Sequence, residues 1–194
     1  MIKKFNFDIS SPSPNGGMPL PKGGYVIKIK AVKVAENKIG QYLAIEYDIA
    51  EGTYAGYWQA RYDSWESDDK QWKGIIYVNI PNENGSKEDS WSIARFKAFI
   101  TALMRSNPGY IYDSEEQHFV GLIVGGLFNL KEIRKADGEK IRVTNFARFS
   151  SVDTIRNGAY TLPKDQLLSA NDTSEGSSGQ GSGEVSCDDE FPFK

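Results

Sequence analysis

Hydrophobic and polar positions alternate with a period of two from Gly23 to Tyr62, the pattern of half-buried strands. Tyr25, Ile27, Ile29 and Ala31 share one face of a first strand, and Val26, Lys28 and Lys30 the other. After a turn at 37–40, Leu43, Ile45, Tyr47 and Ile49 oppose Tyr42, Ala44, Glu46 and Asp48. A second turn, from Glu51-Gly52 to Gly56, leads into Tyr57 to Tyr62 as a third strand. The period then changes. Ile93, Phe96, Phe99, Ile100, Leu103 and Met104 recur at three and four, the stripe of one helix. Ser90 can cap its start, and Asn107-Pro108-Gly109 stops it. Residues 63–90, with Trp65, Trp72 and the apolar run 74–80, read as an insertion. Phe119 to Leu130 is apolar but interrupted by Gly121, Gly125 and Gly126, which suits a bent strand with a bulge. Lys131 to Lys140 reads as a charged hairpin loop and Ile141 to Val152 as the last strand.

The two ends differ from this body. Pro12, Pro14, Pro19 and Pro21 with Gly16-Gly17 make residues 1–22 an extended arm. Residues 163–194 read as a disordered acidic tail, because Ser, Gly, Asn, Asp and Gln dominate from Ser169 to Glu184 and bury too little to offset their ordering entropy. The domain between, 23–162, has the element order β-β-β-α-β-β. That is the order of the OB-fold, so the expectation is a mainly β, OB-fold-like five-stranded barrel with one helix between strands 3 and 4. A generic α+β sheet with one helix fits the same order.

Charge sharpens this division. The chain carries 23 Lys+Arg and 26 Asp+Glu, a net of −3. Residues 165–194 hold seven of the acids and one base, Lys194, which leaves 22 bases against 19 acids, a net of +3, in residues 1–164. A mildly basic body with an acidic handle suits a polyanion ligand. Chemistry of other kinds finds little footing. One Cys (Cys187) and one His (His118) build neither an intrachain disulfide nor a Cys/His zinc site. No P-loop, H-E-x-x-H or G-x-G-x-x-G is present, so neither an enzyme nor a cofactor is expected. The chain has no apolar run of transmembrane length, and a cytoplasmic protein is expected.

Single strands are bound by stacking bases on aromatic rings while Lys and Arg track the phosphates. Candidates occur where an OB-fold needs them. On strand 3, either Trp58 and Tyr62 form a platform or Arg61 points at the ligand, depending on which face packs inward. Tyr42 lies on the outward face of strand 2, and Lys38 lies in the loop before it. Lys131, Arg134 and Lys140 lie between strands 4 and 5. Arg142, Phe146 and Arg148 fall on one face of strand 5, a run of the form Arg-x-Thr-x-Phe-x-Arg. The plainer reading of the Lys131–Lys140 loop is a solvated hairpin, since Glu132, Asp137 and Glu139 dilute it.

Short pieces spread over most of residues 20–160 resemble a family of phage and mobile-element single-stranded DNA-binding proteins from low-GC Gram-positive hosts. They are Leu20-Pro21-Lys22-Gly23-Gly24-Tyr25-Val26, Asp48-Ile49-Ala50-Glu51-Gly52 with Tyr54-Ala55-Gly56-Tyr57, and Trp72-Lys73-Gly74. Phe96-Lys97, Thr101-Ala102, Phe119-Val120-Gly121, Asp137-Gly138-Glu139 and Ile155-Arg156-Asn157-Gly158 follow in order. The resemblance implies an OB-like fold and a role in phage or plasmid replication and recombination inside a bacterial host. The end of the chain, Asp188-Asp189-Glu190-Phe191-Pro192-Phe193, resembles the acidic C-terminal tip of such proteins. There it implies a docking peptide for replication and recombination proteins. The usual tip ends at the Phe carboxylate, whereas Lys194 follows here. Sequence-nonspecific single-strand binding with partner recruitment is therefore the expectation. A β-barrel interaction or structural phage module without DNA affinity is the alternative, and homo-oligomerisation is left open. Deleting residues 184–194 should leave folding intact and single-strand affinity equal or slightly higher, because an anionic competitor is lost. Markedly weaker binding of the truncated chain in a gel-shift titration would contradict a handle.

Overall fold

The computed structural model describes residues 19–38, 40–66, 70–82 and 85–168. The arm before Pro19 and the tail after Leu168, including the docking candidates Asp188, Asp189, Glu190, Phe191, Pro192 and Phe193, lie outside the described residues.

The first two strands form as their alternation predicts. β1 (Gly23–Glu36) and β2 (Gln41–Ile49) make an antiparallel pair. Leu43, Ile45, Tyr47 and Ile49 face inward and are buried. In β1 a bulge between Ile29 and Ala31 inserts Lys30 as an extra residue. Beyond it Val32, not Ala31, carries the buried face.

The chain then departs from expectation. Residues 57–62, expected as the third strand, form helix α1 (Tyr57–Asp63). The reason lies in Asp48. Its carboxylate accepts from the N–H groups of Ile49 (2.8 Å), Trp58 (2.9 Å) and Gln59 (3.1 Å). Two of these are orphan donors of the first turn of α1, which Gly56 at the N-cap cannot satisfy with a side chain. The third strand instead comes from the stretch read as an insertion: β3 (Ile75–Asn79) pairs with β2.

The helix expectation is corrected as well: among the described residues three α-helices stand where one was expected. The longest, α2 (Lys87–Ser106), starts ahead of the predicted stripe. Ser86, not Ser90, caps it by accepting from Asp89 N–H (3.0 Å). Phe99, Ala102 and Leu103 are buried, whereas Ile93 and Met104, at the ends of the predicted stripe, are exposed. Phe119 belongs to a 3-10 turn at Glu116–Phe119, so β4 (Ile123–Arg134) begins later than predicted and runs into the expected hairpin loop. β5 (Lys140–Ser150) and the short α3 (Val152–Arg156) complete the body.

The five strands form one antiparallel sheet in the order β3-β2-β1-β4-β5. It is open, so the expected closed barrel is replaced by a sheet with β3 and β5 at its edges. The core lies on one face, where Ile27, Ile29, Ile45, Tyr47, Val124 and Phe128 meet Phe99 and Leu103 of α2. Burial pushes the Tyr47 phenol above its ordinary range, so it stays neutral in this core. Gly125 must be glycine there, because a Cβ would stand 2.6 Å from Ile155 Cγ1 on α3. Residues 164–168 run alongside β4 in the same direction: Gln166 N–H donates to Leu130 O and Glu132 N–H to Gln166 O. The first residues of the predicted tail are thus held against the sheet. No helix among the described residues is long and apolar enough to cross a membrane.

Asp48→Ala should cost about 1–3 kcal/mol, since it orphans the part-buried helix-start donors of Trp58 and Gln59. Guanidinium unfolding checks this, and an unchanged midpoint would contradict the capping role.

Candidate nucleic-acid interface

Register places a second set of side chains on the face of β1, β2 and β3 opposite the core. Lys28 lies beside Asp48, Ala31 beside Glu46, Lys33 beside Ala44 and Ala35 beside Tyr42. Across β2, Glu46 pairs with Ile75, Ala44 with Tyr77 and Tyr42 with Asn79. At the end of this face where β2 stops, Asp48 turns the chain into α1. The chain returns along Tyr47: Tyr47 N–H donates to Gly74 O (2.8 Å), and Trp72 Nε1 donates to Tyr47 O (3.2 Å) and Gly74 O (3.0 Å). Gly74 is the hinge of this return. A Cβ there would lie 2.6 Å from both Trp58 Cδ1 and Tyr47 O.

Three aromatic rings and three ammonium groups are assembled in this way. Tyr62 of α1 lies 5.8 Å from Trp72, ring centre to ring centre. The bulge aims Lys30 outward, and its Nζ stands 4.6 Å from the Trp72 ring centre while donating to Gln59 Oε1 (2.6 Å). Lys70 Nζ lies 5.6 Å over Tyr62, and Lys73 Nζ lies 5.2 Å over Trp65. Among the described residues none of these three lysines forms an ion pair with a carboxylate; Lys70 and Lys73 reach only Asp63 O and Gln71 Oε1. Of the described acids nearby, Asp63 accepts from Gln59 Nε2 (3.0 Å) and Glu66 is exposed; Asp68 and Asp69 lie outside the described residues. A cation over a ring face is held by about 0.5–1 kcal/mol when exposed, weakly enough to be exchanged for a phosphate. The rings beneath it are then open to a base.

The predicted strand-3 residues contribute, though not as a strand. In α1, residues four apart share a face, so Trp58 goes with Tyr62 and Tyr57 with Arg61. Trp58 packs edge-on against Tyr47 (centroids 6.2 Å) and over Gly74, which makes it a support for the cluster. Arg61 donates to the Tyr57 hydroxyl (2.9 Å) and lies over the Tyr57 and Trp58 rings. Tyr42 stands at the other end of the same outer face, and Lys38 is exposed at the β1–β2 hairpin tip beyond it.

The β4–β5 candidates do not come together as a stripe. The register shifts between Leu127 and Phe128, which puts Ala147 in as an extra residue. Phe146 therefore pairs with Phe128 and Arg148 with Leu127, on opposite faces. Phe146 turns to the core, 5.4 Å from Phe128 and 4.6 Å from Phe149. Arg142 is held by Glu132 (3.1 Å), and Arg148 donates to Thr161 O (3.0 Å). Arg134 donates to Gly138 O (3.4 Å), at the tip of the hairpin. Lys131 lies within β4 beside Gln166, and Lys140 is exposed at the start of β5.

Lys30, Trp65, Lys70, Trp72 and Lys73 went unrecognised in the sequence. A signal existed: aromatic and basic residues interleave in the stretch 65–73, the composition a single-strand site needs. The bulge that extrudes Lys30 has no such signal. No protein-family model and no curated protein sequence matches the chain.

Proposed function

We propose that this protein binds single-stranded DNA without sequence preference through the aromatic–lysine cluster of Lys30, Tyr62, Trp65, Lys70, Trp72 and Lys73. The observation that carries the reading is the set of three lysines resting on ring faces and, among the described residues, on no carboxylate. A strand offers a better partner to both components. Its bases stack on the rings for about 1–3 kcal/mol each, and its phosphates take the ammonium groups. Ring faces accept any base, so such a site reads no sequence. The β4–β5 hairpin lacks this property: Arg142 and Lys135 are paired with Glu132 and Glu139, and among the described residues none of its cations lies over a ring.

The wider architecture supports an OB-like reading. The order β3-β2-β1-β4-β5 is that of a five-stranded OB barrel whose seam between β3 and β5 stays unjoined, and the cluster borders the β2–β3 face that OB-folds use for oligonucleotides. In this reading the protein covers and protects single strands during phage or plasmid replication and recombination. The acidic tip Asp188–Phe193 serves as its docking peptide for partner proteins, following its resemblance to single-strand binder tips.

Lys30→Gln, Lys70→Gln and Lys73→Gln combined should weaken poly-dT binding and flatten the log K against log salt plot by about 2, three phosphates at roughly 0.7 each. Arg142→Gln with Arg148→Gln should change neither by much. Unchanged affinity and slope in the lysine triple variant would remove this cluster as the site. Absence of binding by the unaltered chain at low salt would leave the interaction-module alternative.

A further inference from the structure

The outer face does not end at the cluster. Six strand positions separate Asp48 from Tyr42, roughly 20 Å at about 3.3 Å per residue. At that far end Tyr42 and Tyr77 form an edge-to-face pair with centroids 5.7 Å apart. The pair is diagonal across β2 and β3, since Tyr42 opposes Asn79 and Tyr77 opposes Ala44. Tyr77 is 45% exposed although it lies in a strand between the buried Ile76 and Val78. The floor between the two ends is low at Ala31 and Ala44, with Ile75 beside Glu46 on β3. Its charged members are Lys33 and Glu46, whose ammonium and carboxylate stand 3.7 Å apart, with the lysine side chain 74% and the glutamate 29% exposed. Lys33 is adjacent to Ala44, and so one step from Tyr77.

We infer that Tyr42 and Tyr77 form a second base-stacking station, reached by the same single strand after it leaves the Trp72 cluster and served by Lys33 as its phosphate ligand. The inference rests on the single-strand reading above and adds a length requirement to it. A strand engaging both stations must cross the alanine floor. There Lys33 exchanges the Glu46 carboxylate for a phosphate, a low barrier for an exposed pair at 3.7 Å. Glu46 is then left facing the strand and weakens it, a built-in limit on affinity at this station.

The test compares dT4, about 10 Å long when stacked at 3.4 Å per nucleotide, with dT12 on the full chain. Tyr77→Ala should weaken dT12 by about 5- to 150-fold, the effect of one lost stack, and leave dT4 within twofold. Tyr77→Phe keeps the ring and should bind both like the unaltered chain. Glu46→Gln should tighten dT12 and not dT4. An equal loss on both lengths, or no loss on either, from Tyr77→Ala overturns the second station while leaving the first intact. Failure of the unaltered chain to bind either oligonucleotide overturns both readings.

Discussion

The Asp48 carboxylate is the contact on which the rest of the arrangement depends. It sits on the outer face of β2 at the last turn before the strand ends, and it gathers the N–H groups of Ile49, Trp58 and Gln59. A buried carboxylate that caps a helix fixes where the helix starts and which way it leaves. Here it sends α1 across the end of the outer face, so that Tyr62 meets Trp72 and Gln59 meets Lys30. Without this pivot, residues 57–63 have a strand-like alternation and no reason to turn.

Two surfaces of the sheet do different work. The inner face is spent on the core, where Phe99 of α2 meets Phe119 edge to face and Phe149 at a tilt, and Phe128 meets Phe146 edge to face. Among the described residues no helix is laid along the outer face of β1–β2–β3. That face is floored with alanines, fringed by lysines and furnished with aromatic groups at both ends. The contrast with β4–β5 decides between them. That hairpin is rich in basic residues, yet Arg142 and Lys135 are satisfied by Glu132 and Glu139. Charge count alone favours the hairpin; the cation–ring contacts favour the other side.

The sequence was most legible where one simple period governed. The core faces of β1 and β2 follow from alternation, and the centre of α2 follows from the three–four spacing around Phe99. It failed where a long-range contact overrode a local pattern. Tyr57 to Tyr62 alternates as a strand would, and only a carboxylate ten residues upstream makes it helical. β3 was hidden because Ile75–Asn79 lies among polar loops, and its partner β2 supplies the reason to extend. Two bulges mattered as well: the one in β1 had no sign in the sequence, and the one at Leu127/Phe128 falls in the strand expected to bulge but puts its extra residue, Ala147, on β5. One turns Lys30 outward, and the other breaks the expected Arg142–Phe146–Arg148 stripe by reversing Arg148. A single extra residue in a ladder carries no mark in composition, yet it decides which side chains can meet one ligand.

The most direct measurement is tryptophan fluorescence during titration with poly-dT at low salt, run on the unaltered chain and on Trp72→Phe. Bases stacking on the cluster should quench the unaltered chain, and the Trp72→Phe variant should lose a large share of that quench while keeping its fold. No quench and no mobility shift in the unaltered chain, or an identical quench in the variant, would contradict the assignment of single-strand binding to this surface.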